Sequence, residues 1–434
     1  MSKTTEHIHP FEPDMLSVED ALERILGSLR PNELQNENIL DTLGLILGEK
    51  IYAPFDMPQV ADSAMDGYAV RYQDVSEANQ NTPTLLSVIG EISAGEVPSI
   101  SIKSKTAVKI MTGAIIPKGA NAVVPFELTD ELIRKGNLDQ QNEIGILTTV
   151  GEGNNIRPAG ENFQAGDLIL DINTLLRPAE IGVLATIGKS EVKVVRRPII
   201  GILATGNELA QLGHQLDPGE IYDSNTYSIA SAIKNVGAIP KIIGIAKDTF
   251  QDTEKKILSG LNTDILISSA GVSKGDYDMV KDVMSKHGAI DFWSIRMRPA
   301  KPLAFGMLSK ENGELIPLIG LPGNPVSAMV AFEEFCRPAI LKLMGRTNFE
   351  RPVIEATLMD AIHNHDSRRV FARVIVSRTN NGFEAKLTGA QGSNLLTSMS
   401  KANGLAICPE DVKMLDVGAL VKVKMIDWPE DTLL

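Results

Sequence analysis

The stretch SSAGVSKGDYDMVKD, residues 268–282, combines residue types that suit two different ligands. Its small residues precede a helical pattern, an arrangement that lets backbone N–H groups approach a phosphate. Asp276 and Asp278 lie in the same loop, and their carboxylates would repel a phosphate. Two interpretations are open at this point. The loop binds a phosphate together with a cation, or it is a helix start in which Asp276 is the cap and Asp278 suits the dipole.

Three other segments in the same part of the chain end predicted strands with chemically useful residues. LATGNEL carries Gly206 and Glu208, IAKD ends in Asp248, and IGLPGNPVS covers residues 319–327. In a parallel sheet, all four strands end at one edge, and ligands of such sheets bind at that edge. We therefore expect the four loops to converge.

The segment LPGNPVS has two explanations of equal weight. Asn324 is a good helix cap, Pro325 suits the first helical position, and Gly323 permits a tight turn. The free N–H groups of such a helix start favour an anion. A well-formed strand-to-helix turn explains the same residues without any ligand.

Positive charge is concentrated in WSIRMRPAKP, residues 293–302. Arg296 and Arg298 are two apart, so on a strand they would face the same way, and Lys301 follows them. Guanidinium forks match phosphate oxygens, and lysine adds a point charge. The alternative is a solvated edge strand, because basic residues commonly guard sheet edges.

Two segments of the N-terminal half, ADSAMDGYAV (61–70) and IMTGAIIPKGANAVV (110–124), contain unusual turns. Taken alone, each is explained as a structural turn. His363 and His365 suggest zinc, but no cysteine or further histidine lies at a useful spacing. We interpret these histidines as loop residues.

The elements that position these residues change along the chain. Residues 17–29 have the pattern of a helix with Ser17 as its cap. Residues 57–160 are rich in glycine and short apolar runs, which predicts short β-strands. From residue 197, strand-length apolar runs alternate with helical stretches, which predicts a parallel sheet with helices on both faces.

The end of the α/β pattern and the C-terminal region have their own signals. A long helix is predicted over residues 325–344. Beyond residue 349, alternating apolar residues and the turn at Asn380, Asn381 and Gly382 predict a small β domain.

Composition excludes several classes of function. The formal net charge is −13, which disfavours binding to nucleic acid or to an anionic membrane. Two cysteines suggest a reducing compartment, and no stretch approaches the ~20 apolar residues that span a bilayer. The N-terminus lacks the layout of a signal peptide. We expect a soluble, cytoplasmic protein.

Eight motifs in a fixed order carry a family resemblance. They are SAMDGYAV, IMTGAIIPKGANAVVPFE, GENFQAGD, RRPIIGILATGNEL, IYDSNTY, GVSKGDYD, RPAKPLAFG and GLPGNPVSAMVAF. Together they resemble the molybdopterin molybdenumtransferase family, which includes MoeA and the E domain of gephyrin. The resemblance runs from about residue 16 to the C-terminus.

The resemblance implies a multidomain α/β plus β protein that forms an elongated homodimer. An elongated N-terminal subdomain would comprise residues 1–56 and 155–196, and residues 57–154 would form an inserted β-rich subdomain. Residues 197–346 would form a three-layer α/β molybdopterin-binding domain. Residues 347–434 would form a C-terminal β-barrel.

The resemblance also implies an activity and its site. Family members insert molybdenum from molybdate into adenylylated molybdopterin, with Mg²⁺-dependent release of AMP. The motifs place catalytic roles at Asp66, Thr112, Glu208, Asp248 and Asp278. The acids Glu208, Asp248 and Asp278 are the expected metal ligands, directly or through water.

Further positions are expected to bind the substrates. They are Gly206, Gly271, Ser273, Gly275, Arg298, Lys301, Pro322, Gly323, Asn324, Pro325, Ser327, Arg373 and Ser393. Asp66 and Thr112 would come from another subdomain, of the same or the partner subunit, and would help to position molybdate or a water. Other expected partners are the upstream adenylyltransferase and acceptor molybdoenzymes.

The chain departs from the family pattern at several positions. Ala270 and Ala300 replace glycines, Arg298 replaces a lysine, and Thr249 replaces the second acid of an Asp-Asp pair. Ser294 replaces a lysine, which removes one cation from the anion pocket. A tungstate-inserting paralogue is one alternative, and a non-catalytic scaffold like gephyrin is another. The shorter adenylyltransferase of the preceding step lacks MDGYA and the β domains.

Overall fold

The computed structural model describes residues 15–134, 142–270 and 279–428. Its contacts divide the chain into two compact units. The larger unit consists of Met1–Glu37, Thr42–Gly48 and Lys193–Leu434, and the smaller unit consists of Asn38–Asp41 and Glu49–Val192. The finer division into four subdomains stays a prediction.

The smaller unit is built mainly of short β-strands, as the glycine-rich pattern predicted. Its main sheet has the strand order Ala122–Pro125, Gly67–Val70, Thr106–Ile110, Thr84–Ile92 and Glu143–Ile146. Shorter strands are Ile51–Tyr52, Asp62–Ser63, Ile156–Arg157 and Leu168–Leu170, and helical segments are Tyr72–Val75, Phe126–Leu128, Glu131–Arg134 and Pro178–Thr186. Apolar side chains on both faces of the main sheet are buried, which explains its near-continuous apolar runs.

The larger unit begins with the predicted N-terminal helix, Val18–Gly27. Ser17 caps it, because the Ser17 hydroxyl accepts a hydrogen bond of 3.0 Å from the Asp20 N–H. Ala21 and Ile25 are fully buried, so the predicted apolar face is the packed face. The strand Leu34–Asn38 pairs with Glu191–Val195, and the chain between the two units passes through these strands and the short helical turn Ile39–Thr42.

The α/β region contains a six-stranded sheet, and within this region we number strands and helices separately. The strands are β1 (Ile199–Thr205), β2 (Ile239–Ala246), β3 (Ile265–Ser269), β4 (Gly288–Ser294), β5 (Pro302–Ser309) and β6 (Leu315–Leu321). The strand order is β2-β1-β3-β6-β5-β4. The first four strands in this order are parallel, as predicted.

The expectation of an entirely parallel sheet is wrong at one edge. Strand β5 was not predicted, and it pairs antiparallel with both β4 and β6. The reason is the length of the connections, because a parallel crossover needs about a dozen residues or more. Only residues 295–301 separate β4 from β5, and only residues 310–314 separate β5 from β6.

Helices cover both faces of this sheet. They are α1 (Asn225–Val236), α2 (Phe250–Ser259), α3 (Met279–His287), α4 (Pro325–Ala331) and α5 (Arg337–Leu343). Helices α2 and α3 pack on one face through Ile257 and Val280, which join an apolar cluster with Leu203 and Leu266 of the sheet. The predicted helix over residues 325–344 is confirmed, with a π-helical turn at Phe332–Cys336 between α4 and α5.

The C-terminal region is the predicted β domain, and it is a closed five-stranded barrel. Around the barrel the strands are Arg369–Thr379, Gly382–Leu387, Val353–Leu358, Leu420–Met425 and Gly404–Cys408, which pairs back with Arg369–Thr379. Thr379 pairs with Gly382, so the predicted hairpin is confirmed, and its loop consists of two residues. The short strand Met297–Arg298 adds beside Arg369, which attaches the barrel to the α/β region.

Smaller elements complete the larger unit. They are the strand pairs Leu209–Ala210 with Ile221–Tyr222 and Ile362–His363 with Met414–Leu415, and the helix Leu396–Lys401. Cys336 and Cys408 are buried free thiols, and burial raises the pKa of both. Within the described residues, no helix has both the length and the apolar character needed to cross a membrane.

Candidate active site

The carboxyl ends of β1, β2, β3 and β6 meet at one edge of the sheet, as the sequence predicted. Two loops at this edge are tied together by reciprocal hydrogen bonds. The Asn207 N–H donates to the Asp248 carboxylate at 3.1 Å, and the Asp248 N–H donates to the Asn207 side chain at 3.2 Å. The Asp248 carboxylate is thereby held beside the loop that carries Glu208.

The Glu208 carboxylate lies directly against Gly206. A Cβ atom at position 206 would be 2.6 Å from a Glu208 carboxylate oxygen, and the φ angle of Gly206 is 149°. This φ angle favours glycine, and a Cβ atom here would displace the Glu208 carboxylate from its position. Glu208 lines a cavity of about 590 Å³ at the strand ends, which we call the strand-end cavity.

The floor of the strand-end cavity depends on Asn225, which the sequence analysis did not select. Asn225 begins α1 and is only 8% exposed. Its side-chain amide donates to the Ser269 hydroxyl at 2.7 Å and to the Gly323 carbonyl at 2.8 Å. Its buried carbonyl oxygen has no hydrogen-bond partner among the described residues. Asn225 lies in the motif IYDSNTY, which contributed to the family resemblance but gave no indication of a role for this residue.

Two alanines that replace family glycines have left-handed backbones. The φ angle is 73° at Ala270, which lines the strand-end cavity, and 76° at Ala300. This conformation brings a Cβ atom too close to the backbone, and glycine adopts it without that cost. At both departures from the family pattern, alanine therefore occupies a strained backbone conformation that the family's glycine would adopt without that cost.

The LPGNPVS segment forms the expected strand-to-helix turn, with one correction. Asn324 occupies the cap position and Pro325 is the first residue of α4, but the Asn324 side chain makes no capping hydrogen bond. Asn324 instead lines the strand-end cavity, together with Pro322 and Gly323. One N–H of the helix start, that of Val326, already donates to the Ser393 carbonyl at 3.1 Å.

A second cavity, of about 680 Å³, adjoins the first, and we call it the cation cavity. The two cavities share Pro302 and Asn324 in their walls. Besides Asn324, the cation cavity brings together five predicted binding residues from the α/β region and the barrel. They are Arg298, Lys301, Ser327, Arg373 and Ser393.

Arg373 is the largest fully buried side chain of this wall, at 1% exposure. Its guanidinium donates to the Ser398 hydroxyl at 3.1 Å and to the Gly392 carbonyl at 3.0 Å. Among the described residues it forms no ion pair, and burial lowers the pKa of the guanidinium to about 10. A buried cation that is held only by neutral acceptors favours an anion beside it.

The opening of the cation cavity contains residues that sequence reasoning did not assign. The Arg298 guanidinium donates to the His363 carbonyl at 2.5 Å and lies 3.8 Å from the Asp366 carboxylate. The rings of His363 and His365 are stacked, with centroids 5.7 Å apart. The structure thus places both histidines on the cavity wall, beside Arg368. Their sequence spacing contained no signal of this position. The interpretation as loop residues is wrong for His363, which lies in the short strand Ile362–His363.

Arg296 and Arg298 were expected to share one face of a strand. The structure confirms a strand at Arg298 but not at Arg296. Arg298 lies in the short strand Met297–Arg298, whereas Arg296 precedes that strand. Arg298 lines the cation cavity and Arg296 does not. The strand is too short to align the two side chains, because the chain turns into the barrel sheet here.

Asp66 and Thr112 form a pair within the smaller unit. The Thr112 N–H and hydroxyl both donate to one Asp66 carboxylate oxygen, at 2.7 and 2.8 Å. These hydrogen bonds lower the pKa of Asp66, with the bond from the N–H as the larger cause. The family motif thus corresponds to a real local contact.

Two of the three expected metal ligands, Glu208 and Asp248, are described, and their loops are tied together at the strand ends. Asp278, with Gly271, Ser273, Gly275 and Asp276, lies outside the described residues. Within the described ranges, no group of three His, Cys, Asp or Glu side chains could hold a metal ion. Two carboxylates nevertheless fit Mg²⁺, which commonly takes one or two carboxylates and completes its shell with phosphates and water.

Family models match the chain in three consecutive segments. They are the MoeA N-terminal region (domain I and II) over residues 16–188, the probable molybdopterin binding domain over residues 201–342, and the MoeA C-terminal region (domain IV) over residues 355–426. Together the three models span most of the chain.

Curated relatives and solved structures agree with these matches. A molybdopterin molybdenumtransferase of Nostoc sp. is 37% identical over 417 residues, which is 94% of this chain and 92% of the relative. A molybdopterin molybdenumtransferase of Haemophilus influenzae is 32% identical, over 94% of this chain and 98% of the relative. A crystal structure of a molybdopterin biosynthesis MoeA protein from Pyrococcus horikoshii matches with a TM-score of 0.77 and 29% identity, over 96% of this chain and all of that one.

Proposed function

The chain belongs to the molybdopterin molybdenumtransferase family, and from this premise we propose that it inserts molybdenum from molybdate into adenylylated molybdopterin with release of AMP. Its role in molybdenum cofactor biosynthesis follows from the family. The finer reaction rests on one observation, which is that a carboxylate-lined cavity and a cation-lined cavity adjoin at Pro302 and Asn324.

The strand-end cavity is the proposed place for the pyrophosphate and the pterin. Glu208 and Asp248, with Asp278, would hold Mg²⁺ beside the phosphoanhydride. The metal, when bound, would neutralise phosphate charge and ease the departure of AMP. The small residues at the ends of β3 and β6, Ser269 and Gly323, let a phosphate approach the backbone. Asn225 would keep these two strand ends in register.

The cation cavity is the proposed place for molybdate. Molybdate is a tetrahedral dianion, and Lys301 and Arg373 supply positive charge from two different domains. Ser327 and Ser393 line the same cavity and can donate hydroxyl hydrogen bonds. Since the two cavities share a wall, the oxyanion would lie next to the dithiolene that receives the metal. This proximity would replace a slow bimolecular encounter by a positioned one.

The roles of Asp66 and Thr112 and the homodimeric assembly are proposals that rest on the family motif. A carboxylate whose charge is stabilised by two hydrogen bonds from Thr112 is suited to orient a water or a protonated oxyanion.

The central experiment is an assay of AMP release with adenylylated molybdopterin, molybdate and Mg²⁺. We expect AMP from the wild-type protein, and we expect Asp278→Asn to fold normally but to abolish metal-dependent release. Asp276→Asn is the matched control from the same motif, because the sequence predicts Asp276 only as a helix cap and asparagine caps a helix as well as aspartate does. This variant should retain activity. Normal AMP release from Asp278→Asn would contradict the metal assignment.

Parallel reactions test the two alternative functions. A tungstate-inserting enzyme would release AMP faster with tungstate than with molybdate. A non-catalytic scaffold would release none with either oxyanion, although it would keep the fold. We expect turnover with molybdate.

A further inference from the structure

A third cavity lies at the opposite end of α1 from the strand-end cavity, and nothing in the proposed reaction uses it. Its volume is about 350 Å³, and its walls include Asn235 at the end of α1 and Arg337 on α5. Asn225 begins the same helix at the strand ends, so at 1.5 Å per residue the two sites are roughly 15 Å apart. The remaining wall comes from residues 346–351, which lead into the first barrel strand. We call it the linker cavity.

Three guanidinium groups converge on the linker cavity. They belong to Arg337, Arg346 and Arg351. Arg351 forms a two-pronged ion pair with Glu333, at 3.1 and 3.2 Å, whereas Arg337 approaches the same carboxylate only at 4.0 Å. One carboxylate therefore serves two arginines, and its best geometry is taken by Arg351.

Arg346 has the weakest compensation of the three. Its guanidinium donates to the Gly44 carbonyl at 3.1 Å, and its buried Nε–H has no hydrogen-bond partner among the described residues. It forms no ion pair within the described ranges. A buried donor without an acceptor is destabilising, and an arriving acceptor would recover part of that cost.

The electrostatics of the cluster agree with this geometry. The pKa of Arg337 is lowered, first by burial and then by the neighbouring charge of Arg351, while Glu333 opposes the shift. Burial lowers the pKa of Arg346 as well. Positive charge is therefore crowded and only partly neutralised here. Glu350 is the carboxylate that lines the cavity, and it is exposed to solvent.

We propose that the linker cavity binds a small tetrahedral dianion, with inorganic phosphate as the representative ligand. Guanidinium forks match tetrahedral oxyanions in shape as well as charge, and arginine is the residue of choice for this recognition. The anion would bridge Arg337 on α5 to Arg346 and Arg351 on the linker. Its binding would thus stabilise the linker between the α/β region and the barrel.

The test is calorimetric titration of the full chain with inorganic phosphate at constant ionic strength, with chloride as the counter-titrant. Arg346→Gln should weaken phosphate binding about tenfold or more, since hydrogen bonds to charged groups contribute about 1.5–3 kcal/mol. Arg378→Gln is the matched control, because Arg378 is an exposed arginine of the barrel outside this cavity. It should leave the affinity unchanged.

Asn348→Asp gives a second reading that does not depend on removing an arginine. The Asn348 carbonyl oxygen accepts from the Glu350 N–H at 3.0 Å, and an aspartate keeps that acceptor while adding a negative charge to the wall. We expect weaker phosphate binding with an unchanged unfolding midpoint in the absence of phosphate. Equal affinity in wild type, Arg346→Gln and Asn348→Asp would overturn the proposal.

The cation cavity is the competing binding site for phosphate, and one variant separates the two. Lys301→Gln removes a cation from that cavity and should leave the linker-cavity titration intact. If phosphate binding were lost in Lys301→Gln and retained in Arg346→Gln, the linker cavity would not be the site. Because this test uses phosphate alone, it is independent of whether the protein releases AMP.

Discussion

The strand-end cavity and the cation cavity share a wall but differ in charge and in origin. Most walls of the strand-end cavity come from the α/β region, where neighbouring parallel strands end at one edge of the sheet. The cation cavity is assembled from the α/β region and the barrel, which contributes Arg373 and Ser393. A carboxylate-bearing site suits a metal with phosphates, and a cation-bearing site suits a free oxyanion.

The difference teaches that opposite charges in adjoining cavities can be kept apart when neutral neighbours hold them. If Glu208 and Asp248 paired with the arginines, they would be unavailable to a metal. In the structure Asp248 is held instead by the neutral Asn207, and Arg373 by the neutral groups of Ser398 and Gly392. Both charges stay available to ligands.

The largest effect should come from the acids. Asp248→Asn or Glu208→Gln should lower AMP release on the order of 100-fold, because metal coordination contributes several kcal/mol to stabilising the transition state. Molybdate affinity, measured by calorimetry, should not change. Asp217→Asn, an exposed acid of a neighbouring loop, is the control. Loss of molybdate binding in Asp248→Asn would remove the distinction between the two cavities.

Arg373→Gln should have the opposite selectivity, because it removes a cation of the cation cavity and leaves the acids in place. We expect molybdate affinity to fall roughly 30-fold, which corresponds to about 2 kcal/mol, because a hydrogen-bonded charge is lost. Arg378→Gln on the same strand is the control, since that side chain is exposed. Circular dichroism must show the native fold in both. Unchanged molybdate affinity in a folded Arg373→Gln would show that the oxyanion binds elsewhere.

A measurement of protein stability tests whether the hydrogen bonds of Asn225 hold the strand ends of the strand-end cavity together. Asn225→Ala should lower the free energy of unfolding by about 2 kcal/mol, because two hydrogen bonds to Ser269 and Gly323 are lost in a buried environment. Asn235→Ala, at the exposed other end of α1, should change it little. Equal urea midpoints for the two variants would contradict the role given to Asn225.

Glycine substitutions test the strain at one position in each cavity. Ala270→Gly and Ala300→Gly should each raise the free energy of unfolding by about 0.5–1 kcal/mol, since left-handed strain of about 1–2 kcal/mol is relieved and part of it is offset by glycine entropy. Ala114→Gly, at a buried alanine without positive φ, should destabilise instead. Thermal melts distinguish these signs.

The smallest effect concerns the Asp66–Thr112 pair, which lies outside both cavities. Thr112→Ala removes the hydroxyl donor, so the pKa of Asp66 should rise, whereas Thr112→Ser should preserve it. A carboxyl with a lowered folded-state pKa stabilises the protein above its unfolded pKa of about 3.9, and this stabilisation is lost as pH falls through the folded value. NMR titration of the carboxyl carbon measures the shift. An identical pKa in both variants would show that the hydroxyl does not contribute.

Regular local patterns were sufficient to predict most elements of the larger unit. The alternation after residue 197 predicted four parallel strands and their helices, because burial on both faces leaves a long apolar run that is easily recognised. Strand β5 was missed because its proline and glycine interrupt that signal, and its direction depends on the length of the connections. The position of the stacked histidines His363 and His365 follows from the fold of the C-terminal region, and no local sequence pattern predicts it.

The amino-acid sequence by itself determined the family and the meeting of four parallel strand ends at one edge, because these depend on contiguous motifs and on local periodicity. Only the tertiary structure decided that Arg373 is buried without a carboxylate, that Asn225 joins two strand ends, and that three arginines meet at the linker. Such contacts join residues far apart in the chain, and their energies depend on burial and on distance. Neither quantity can be read from the order of the residues.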